Sequence, residues 1–172
     1  MLELTYKCNL KCSFCYLLHK RRLNMASPEL PTAAVFRLVD RFKTGTSFYL
    51  SGGEPFLRKD IFEIMEHIKS AGSRFGLNTN GTLLNAAKIK KLAALEPDYV
   101  IFSLHGSRLL HDRLTGKKGA WRALMRGLSA LAACRRPGTE LLVNCVVNRE
   151  NAGELLGVYR SAAAAGAHRV VF

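Results

Sequence analysis

The stretch Cys8-Asn9-Leu10-Lys11-Cys12-Ser13-Phe14-Cys15 sets three thiols at offsets zero, four and seven. Thiolates at that spacing converge on one small object only if the backbone between them curls into a loop. Sulfur is a soft donor that selects zinc, copper(I) or an iron–sulfur cluster. A closed structural zinc site takes four ligands, and an electron-transfer cluster is usually held by four cysteines. Three ligands from one loop therefore suggest a cluster with one iron left open for a substrate or cofactor. A second reading stands beside it, because Cys15-x3-His19 is also a metal spacing and would give zinc a fourth ligand. A disulfide framework fits poorly, since five cysteines in 172 residues are sparse and odd in number. Cys134 and Cys145 stand far apart among apolar residues and are expected to be ordinary buried thiols.

Outward from the loop, the chain alternates strand and helix signals. Leu2-Glu3-Leu4-Thr5-Tyr6 alternates as a short strand does. After a basic, irregular stretch, Val35, Leu38, Val39 and Phe42 fall on one helical face, and Gly45 ends that helix. Ser47-Phe48-Tyr49-Leu50 is a compact strand leading into Ser51-Gly52-Gly53-Glu54-Pro55, where a double glycine lets backbone approach a ligand closely. The next helix starts near Asp60, buries Ile61, Ile64, Met65 and Ile68, and stops at Gly72. Phe75-Gly76-Leu77 opens a third strand that runs into Asn78-Thr79-Asn80-Gly81, a turn signal. Asn85 caps a third helix with Ile89 and Leu92 inward, and Pro97 follows its end. The run Tyr99–Leu104 is nearly all apolar, as a parallel strand covered on both faces should be. Trp121, Leu124, Met125, Leu128 and Leu131 mark a fourth helix. Leu141 to Asn148 reads as a fifth strand with Asn144, Val146 and Asn148 on one face. Leu155, Val158, Tyr159 and Ala162 mark a fifth helix that Gly166 stops, and His168 to Phe172 reads as a sixth strand. His67 and His168 are expected to be structural, and Met65 core.

Cys8-x3-Cys12-x2-Cys15, with Phe14 before the last cysteine, resembles the signature of radical S-adenosylmethionine (SAM) enzymes. The similarity extends to Gly52-Gly53-Glu54-Pro55, one helix and one strand after the cysteines, and to Thr79-Asn80-Gly81. Ser103-Leu104-His105-Gly106, followed by His111-Asp112-Arg113 and Thr115-Gly116, is similar to the Ser-Leu-Asp-Gly stretch and its continuation in related enzymes, with His105 replacing the usual aspartate. The resemblance implies that Cys8, Cys12 and Cys15 hold a [4Fe–4S] cluster whose open iron binds SAM. One electron then splits SAM into methionine and a 5′-deoxyadenosyl radical that abstracts hydrogen from substrate. It further implies that the Gly52, Gly53 and Glu54 stretch holds the methionine amino group, that Asn80 contacts SAM or only shapes the turn, that Ser103 faces the carboxylate or ribose, that Arg113 pairs with the carboxylate through its fork of donors, that His105 bonds ribose, and that Asn144 lies on the adenine and ribose side. No catalytic side chain is expected beyond the cluster and SAM.

The implied fold is α/β, a (β/α)6 partial TIM barrel truncated after strand 6. Residues 1–172 are expected to form one radical SAM core domain, with the sixth helix and any C-terminal domain absent. The enzymes it most resembles modify peptides and proteins, including sulfatase maturases, and many carry a cysteine-rich C-terminal domain called SPASM. The implied partners are a peptide or protein substrate and an electron donor such as flavodoxin or ferredoxin. The formal net charge of +13 is concentrated at Lys7, Lys11, Lys20, Arg21 and Arg22, and again at Arg108, Arg113, Lys117, Lys118, Arg122 and Arg126. That charge fits a solvated surface, an acidic peptide or RNA. RNA ranks behind a peptide, because no aromatic-interleaved RNA motif accompanies the charge. Lys7 and Lys11 interrupt any early apolar run and no stretch reaches membrane-span length, so a reducing cytoplasm is expected.

Overall fold

The computed structural model describes residues 1–17 and 29–172. Its six strands are β1 (Leu2–Glu3), β2 (Ser47–Ser51), β3 (Arg74–Thr79), β4 (Tyr99–Ser103), β5 (Glu140–Asn144) and β6 (Arg169–Val171). They lie side by side in chain order and every neighbouring pair is parallel. A parallel pair needs a long crossover, and helices supply it: α1 (Thr32–Val39), α2 (Ile61–Ser70), α3 (Ala86–Ala94), α4 (Arg108–Thr115), α5 (Ala120–Cys134) and α6 (Leu155–Ala164). β1 does not pair with β6, so this is an open (β/α)6 partial barrel.

Period-two alternation along the strands decides which side is core. Phe48 and Leu50, Phe75 and Leu77, Val100 and Phe102, and Leu141 and Val143 are all buried. They join Ile64, Met65, Ile68, Leu92, Leu124, Leu128, Leu131 and Val158 of the helices in one hydrophobic cluster. The opposite face carries Tyr49, Asn78, Ile101, Ser103, Leu142 and Asn144, all half-buried. β4 is therefore covered fully on one face only. Its run of apolar residues reflects a barrel interior that the open sheet leaves partly accessible.

The local signals act as their chemistry demands. Asn85 caps α3, its side-chain oxygen accepting from the Lys88 N–H at 2.9 Å. Asp60 stands at the N-cap of α2 without capping it, because its carboxylate is engaged elsewhere. It accepts from Arg58 Nε at 2.8 Å and from the Thr32 hydroxyl at 2.6 Å. Arg58 in turn donates to the Leu4 and Leu30 carbonyls, so one ion pair ties α1, α2 and the end of β1 together. The Arg58 guanidinium holds the Asp60 carboxyl at about 2. His67 bonds Asp40 at 2.7 Å and stacks on Phe36. His168 accepts the Leu141 N–H at 2.8 Å. Both are structural.

Several expectations need correction. Six α-helices stand among the described residues where five were expected, the extra one being α4. With Leu109 exposed and only Leu110 and Leu114 as buried aliphatic side chains, this short helix carries a weak apolar pattern. α1 ends at Val39, and Phe42 lies beyond it, exposed, with its ring edge-on to Phe48. β1 covers only Leu2–Glu3, and β5 ends at Asn144 rather than Asn148. Cys145 is buried, but Cys134, on the last turn of α5, is exposed. His19, Lys20, Arg21 and Arg22 lie outside the described residues. Among the described residues no helix is long and apolar enough to cross a membrane.

Two stability measurements check this account. Ile64→Ala should lower the unfolding free energy by about 2–5 kcal/mol in urea titration, whereas Leu109→Ala, 77% exposed, should change it by no more than ~0.5 kcal/mol. Because the folded carboxyl of Asp60 sits below its ordinary 3.8, its contribution is complete above that value and is lost as pH falls through about 2. Asp60→Asn should therefore destabilise at pH 7, with the gap to wild type narrowing only below about pH 4.

Candidate functional site

The three cysteines lie on a loop without strand or helix, and that loop must find partners for its backbone polar groups. On one side it meets the glycine turn after β2. The Thr5 carbonyl accepts from the Gly53 N–H at 2.7 Å, and the Lys7 carbonyl accepts from the Glu54 N–H at 2.8 Å. On the other side the Lys11 and Ser13 N–H groups donate to the Thr115 and Leu114 carbonyls, at 2.9 and 3.0 Å. Those carbonyls belong to the last turn of α4, where no intrahelical partner exists. A Cβ on Gly52 would stand 2.4 Å from the Thr5 carbonyl oxygen, and one on Gly53 would stand 2.2 Å from that of Lys7. The double glycine thus admits the cysteine loop itself, a closer constraint than approach to a ligand.

Cys8, Cys12 and Cys15 are half-buried and line one cavity of about 160 Å³. Phe14, Gly52, Gly53, Asn80, Ser103, His105 and Asn144 line it with them. All of these sit in the loops at, or on the last residue of, the carboxyl ends of successive strands, where α/β barrels gather their chemistry. Arg113 is not brought into this group: it is exposed and paired with Glu150 at 2.9 Å. Glu54 is fully buried behind the cavity wall rather than on it. Its carboxylate accepts from the Thr79 hydroxyl at 2.8 Å, the Asn80 N–H at 2.7 Å and the Phe56 N–H at 3.1 Å. Burial pushes its carboxyl pKa up, against those three donors. Glu54 therefore fastens the glycine turn to the end of β3.

His105 offers the cavity a neutral imidazole. Its Nδ1 accepts the Val146 N–H at 3.2 Å, which leaves the ring proton on Nε2. Burial, with His111 nearby, depresses its pKa to about 3. The Phe14 ring meets it edge-on at 4.6 Å. Behind it, His111 Nδ1 accepts the His105 N–H at 3.2 Å, and burial holds His111 at about 4. Ser103 donates to the Asn78 amide oxygen at 3.3 Å.

The sequence reading missed Leu10, Tyr16, Leu17, Asn78, Thr79, Thr115 and Val146, which complete the lining. Asn78 was within reach, since it shares the inner face with Gly76 by strand alternation. It also missed Asn151, fully buried, which donates to the His105 and Val146 carbonyls at 3.0 and 2.9 Å. No local pattern marks a residue that works across 46 positions.

The donor chemistry fits a cluster. Three thiols edge one cavity, and thiolate is the donor that holds iron–sulfur clusters.

A family model for the radical SAM superfamily matches residues 2–162. Fe-coproporphyrin III synthase of Methanosarcina barkeri is 34% identical over 159 residues, which is 91% of this chain and 39% of that protein. PqqA peptide cyclase of Methylocella silvestris is 34% identical over 171 residues, 98% of this chain and 44% of the relative. The chain thus spans less than half the length of either. The crystal structure of Streptococcus suis SuiB bound to precursor peptide SuiA matches with a TM-score of 0.78 at 17% identity, covering 97% of this chain and 37% of that one. That of anSMEcpe with bound AdoMet and the Kp18Cys peptide matches at 0.79 and 22%, covering 98% and 48%. At those identities the two structures bear on the fold alone. The match over nearly the whole chain places this protein in the radical SAM superfamily, enzymes that use a [4Fe–4S] cluster and S-adenosylmethionine.

Proposed function

We propose that Cys8, Cys12 and Cys15 hold a [4Fe–4S] cluster, that SAM occupies the cavity beside them, and that the chain initiates radical modification of a peptide or protein. The observation that carries this reading is the meeting of three thiols, the glycine turn and the polar strand ends on one cavity. Peptide substrates are favoured over maturation of a cofactor precursor by the likeness to PqqA peptide cyclase, and the likeness to Fe-coproporphyrin III synthase supports the second class. When bound, the cluster and SAM together supply one-electron cleavage of SAM to a hydrogen-abstracting 5′-deoxyadenosyl radical.

The residues of this chain bind and orient. The Gly52–Gly53 turn presents backbone to the methionine end. Ser103, Asn78 and Asn144 present a hydroxyl and two amides at adjoining strand ends, suited to carboxylate and ribose oxygens. His105 adds a donor that stays neutral at physiological pH. Phe14, Leu10, Leu17 and Val146 wall the cavity with apolar surface and limit water. Arg113 lies outside the cavity lining, exposed and paired with Glu150, and is assigned no SAM contact in this reading. An external one-electron donor of the flavodoxin or ferredoxin type supplies the electron, and the reducing cytoplasm is the compartment that suits the cluster.

Anaerobic reconstitution should load about four irons and four sulfides per chain. Cys8→Ala, Cys12→Ala and Cys15→Ala should each abolish the cluster absorbance, and Cys134→Ala and Cys145→Ala should keep it. One zinc and no sulfide, lost on His19→Ala, would overturn the cluster reading. Gly53→Ala should impair loading, because the new methyl collides with the Lys7 carbonyl.

SAM binding by the loaded protein separates the cavity wall from its surroundings. Ser103→Ala should weaken affinity roughly 2- to 10-fold, the worth of one hydrogen bond, and Arg113→Ala should leave it unchanged in equilibrium dialysis. Equal affinity in Ser103→Ala and wild type would remove β4 from the SAM site.

A further inference from the structure

We infer that Asn80 tunes the reduction potential of the cluster by donating a hydrogen bond from its side-chain amide to the sulfur of Cys8. The inference rests on the cluster reading above. Asn80 Nδ2 stands 3.8 Å from Cys8 Sγ, within reach of an N–H···S bond, and the Leu10 N–H donates to the same sulfur at 3.4 Å.

Which end of the amide faces the sulfur is fixed by its neighbours. The Asn80 oxygen accepts from the Thr82 backbone N–H at 2.9 Å, a group that can only donate. The NH2 group must therefore point the other way, toward the Asn9 side-chain oxygen at 2.9 Å and Cys8 Sγ. The Thr82 hydroxyl donates to Asn80 Oδ1 at 2.7 Å and accepts from Asn9 Nδ2 at 2.8 Å. The three side chains close a ring of hydrogen bonds in which every donor and acceptor role agrees. Asn80 is only 8% exposed, so water competes little for its amide.

The consequence is electrostatic. Taking up one electron from an external donor adds one negative charge to the cluster and its ligand sulfurs. An N–H dipole aimed at a ligand sulfur stabilises the more charged, reduced state, and hydrogen bonds to the sulfurs are among the levers that set cluster potentials. The Leu10 donor is backbone and survives any substitution. The Asn80 donor is a side-chain group, which a substitution removes. Asn80 is thus a positioning and tuning residue for the electron-accepting step, in addition to lining the cavity.

The test is a mediated redox titration of the reconstituted 172-residue chain, read by cluster bleaching and by electron paramagnetic resonance of the reduced state. Asn80→Leu keeps the size and loses the donor. It should shift the midpoint to more negative potential by the equivalent of about three- to tenfold in the one-electron equilibrium, tenfold being about 59 mV. Thr82→Val breaks the ring but leaves the Thr82 N–H to orient the amide, so its midpoint should match wild type. An Asn80→Leu midpoint equal to wild type overturns the inference, as does a Thr82→Val shift as large as that of Asn80→Leu. Should Asn80→Leu not load iron, Asn80→Ala is titrated in its place. If both fail to load while their circular dichroism matches wild type, Asn80 only holds the loop and the inference is overturned. A wild-type chain that takes up no sulfide overturns the cluster reading itself, an outcome distinct from wild-type loading with an unshifted variant.

Discussion

An irregular loop can carry three half-buried thiols only if its own peptide groups are bonded, and here two foreign elements do the bonding. The glycine turn after β2 donates to the Thr5 and Lys7 carbonyls, and the carboxyl end of α4 accepts from Lys11 and Ser13. Both arrangements satisfy groups on each side at once. The last carbonyls of a helix have no intrahelical donor, so α4 gains a cap from the cysteine loop as the loop gains a support. The glycine turn could not come so near with any side chain in place, since a Cβ on either glycine would sit within 2.4 Å of a carbonyl oxygen. The position of the thiols is therefore set by backbone contacts of the loop that carries them.

Among the described residues, the polar groups that line the cavity are neutral, and Glu54, Asp112 and Arg113 are engaged elsewhere. Glu54 faces inward to β3, Arg113 faces Glu150, and Asp112 accepts from the Gly119 and Trp121 N–H groups where α5 begins. Among the described residues the wall offers, beside the three thiols, amides, hydroxyls and an imidazole that burial keeps unprotonated. Neutral dipoles cost less to bury than unpaired charges, and they suit a ligand that carries both an ammonium and a carboxylate. An aspartate at position 105 would have placed a charge here. The imidazole gives one directed donor instead, with its other nitrogen already taken by Val146.

Much of this was legible in the chain because the informative residues repeat with a period or stand at fixed spacing. Parallel strands with helical crossovers follow from the alternation of apolar runs and amphipathic faces, and Asn85, Gly72 and Gly166 marked helix ends by chemistry that depends on nearest neighbours alone. The cysteine triplet and the double glycine are local in the same sense. What escaped was set by distant contacts. α4 is short and presents Leu109 to solvent, so its burial of His111 and Thr115 left no apolar stripe. Cys134 sits among alanines and leucines, but its rotation about α5 turns it outward. Glu54 and Arg113 carry the residue types their assigned roles require, and only the fold shows that each already has other partners.

The end of β3 is where these constraints join. Glu54 takes the backbone N–H of Asn80 while the Asn80 side chain reaches Cys8 and Asn9. One residue thereby links the glycine turn, the third strand and the cysteine loop. Its register is fixed by strand pairing, with Thr79 opposite Phe102 and Leu77 opposite Val100. A slip of one residue would send Phe75 and Leu77 to the cavity side and Asn78 into the core, at the cost of two buried apolar side chains and an unpaired amide. The hydrophobic cluster on the far side of the sheet thus enforces the polar geometry on the near side. Core packing and the geometry of the cavity wall in this fold are one constraint seen from the two faces of β3.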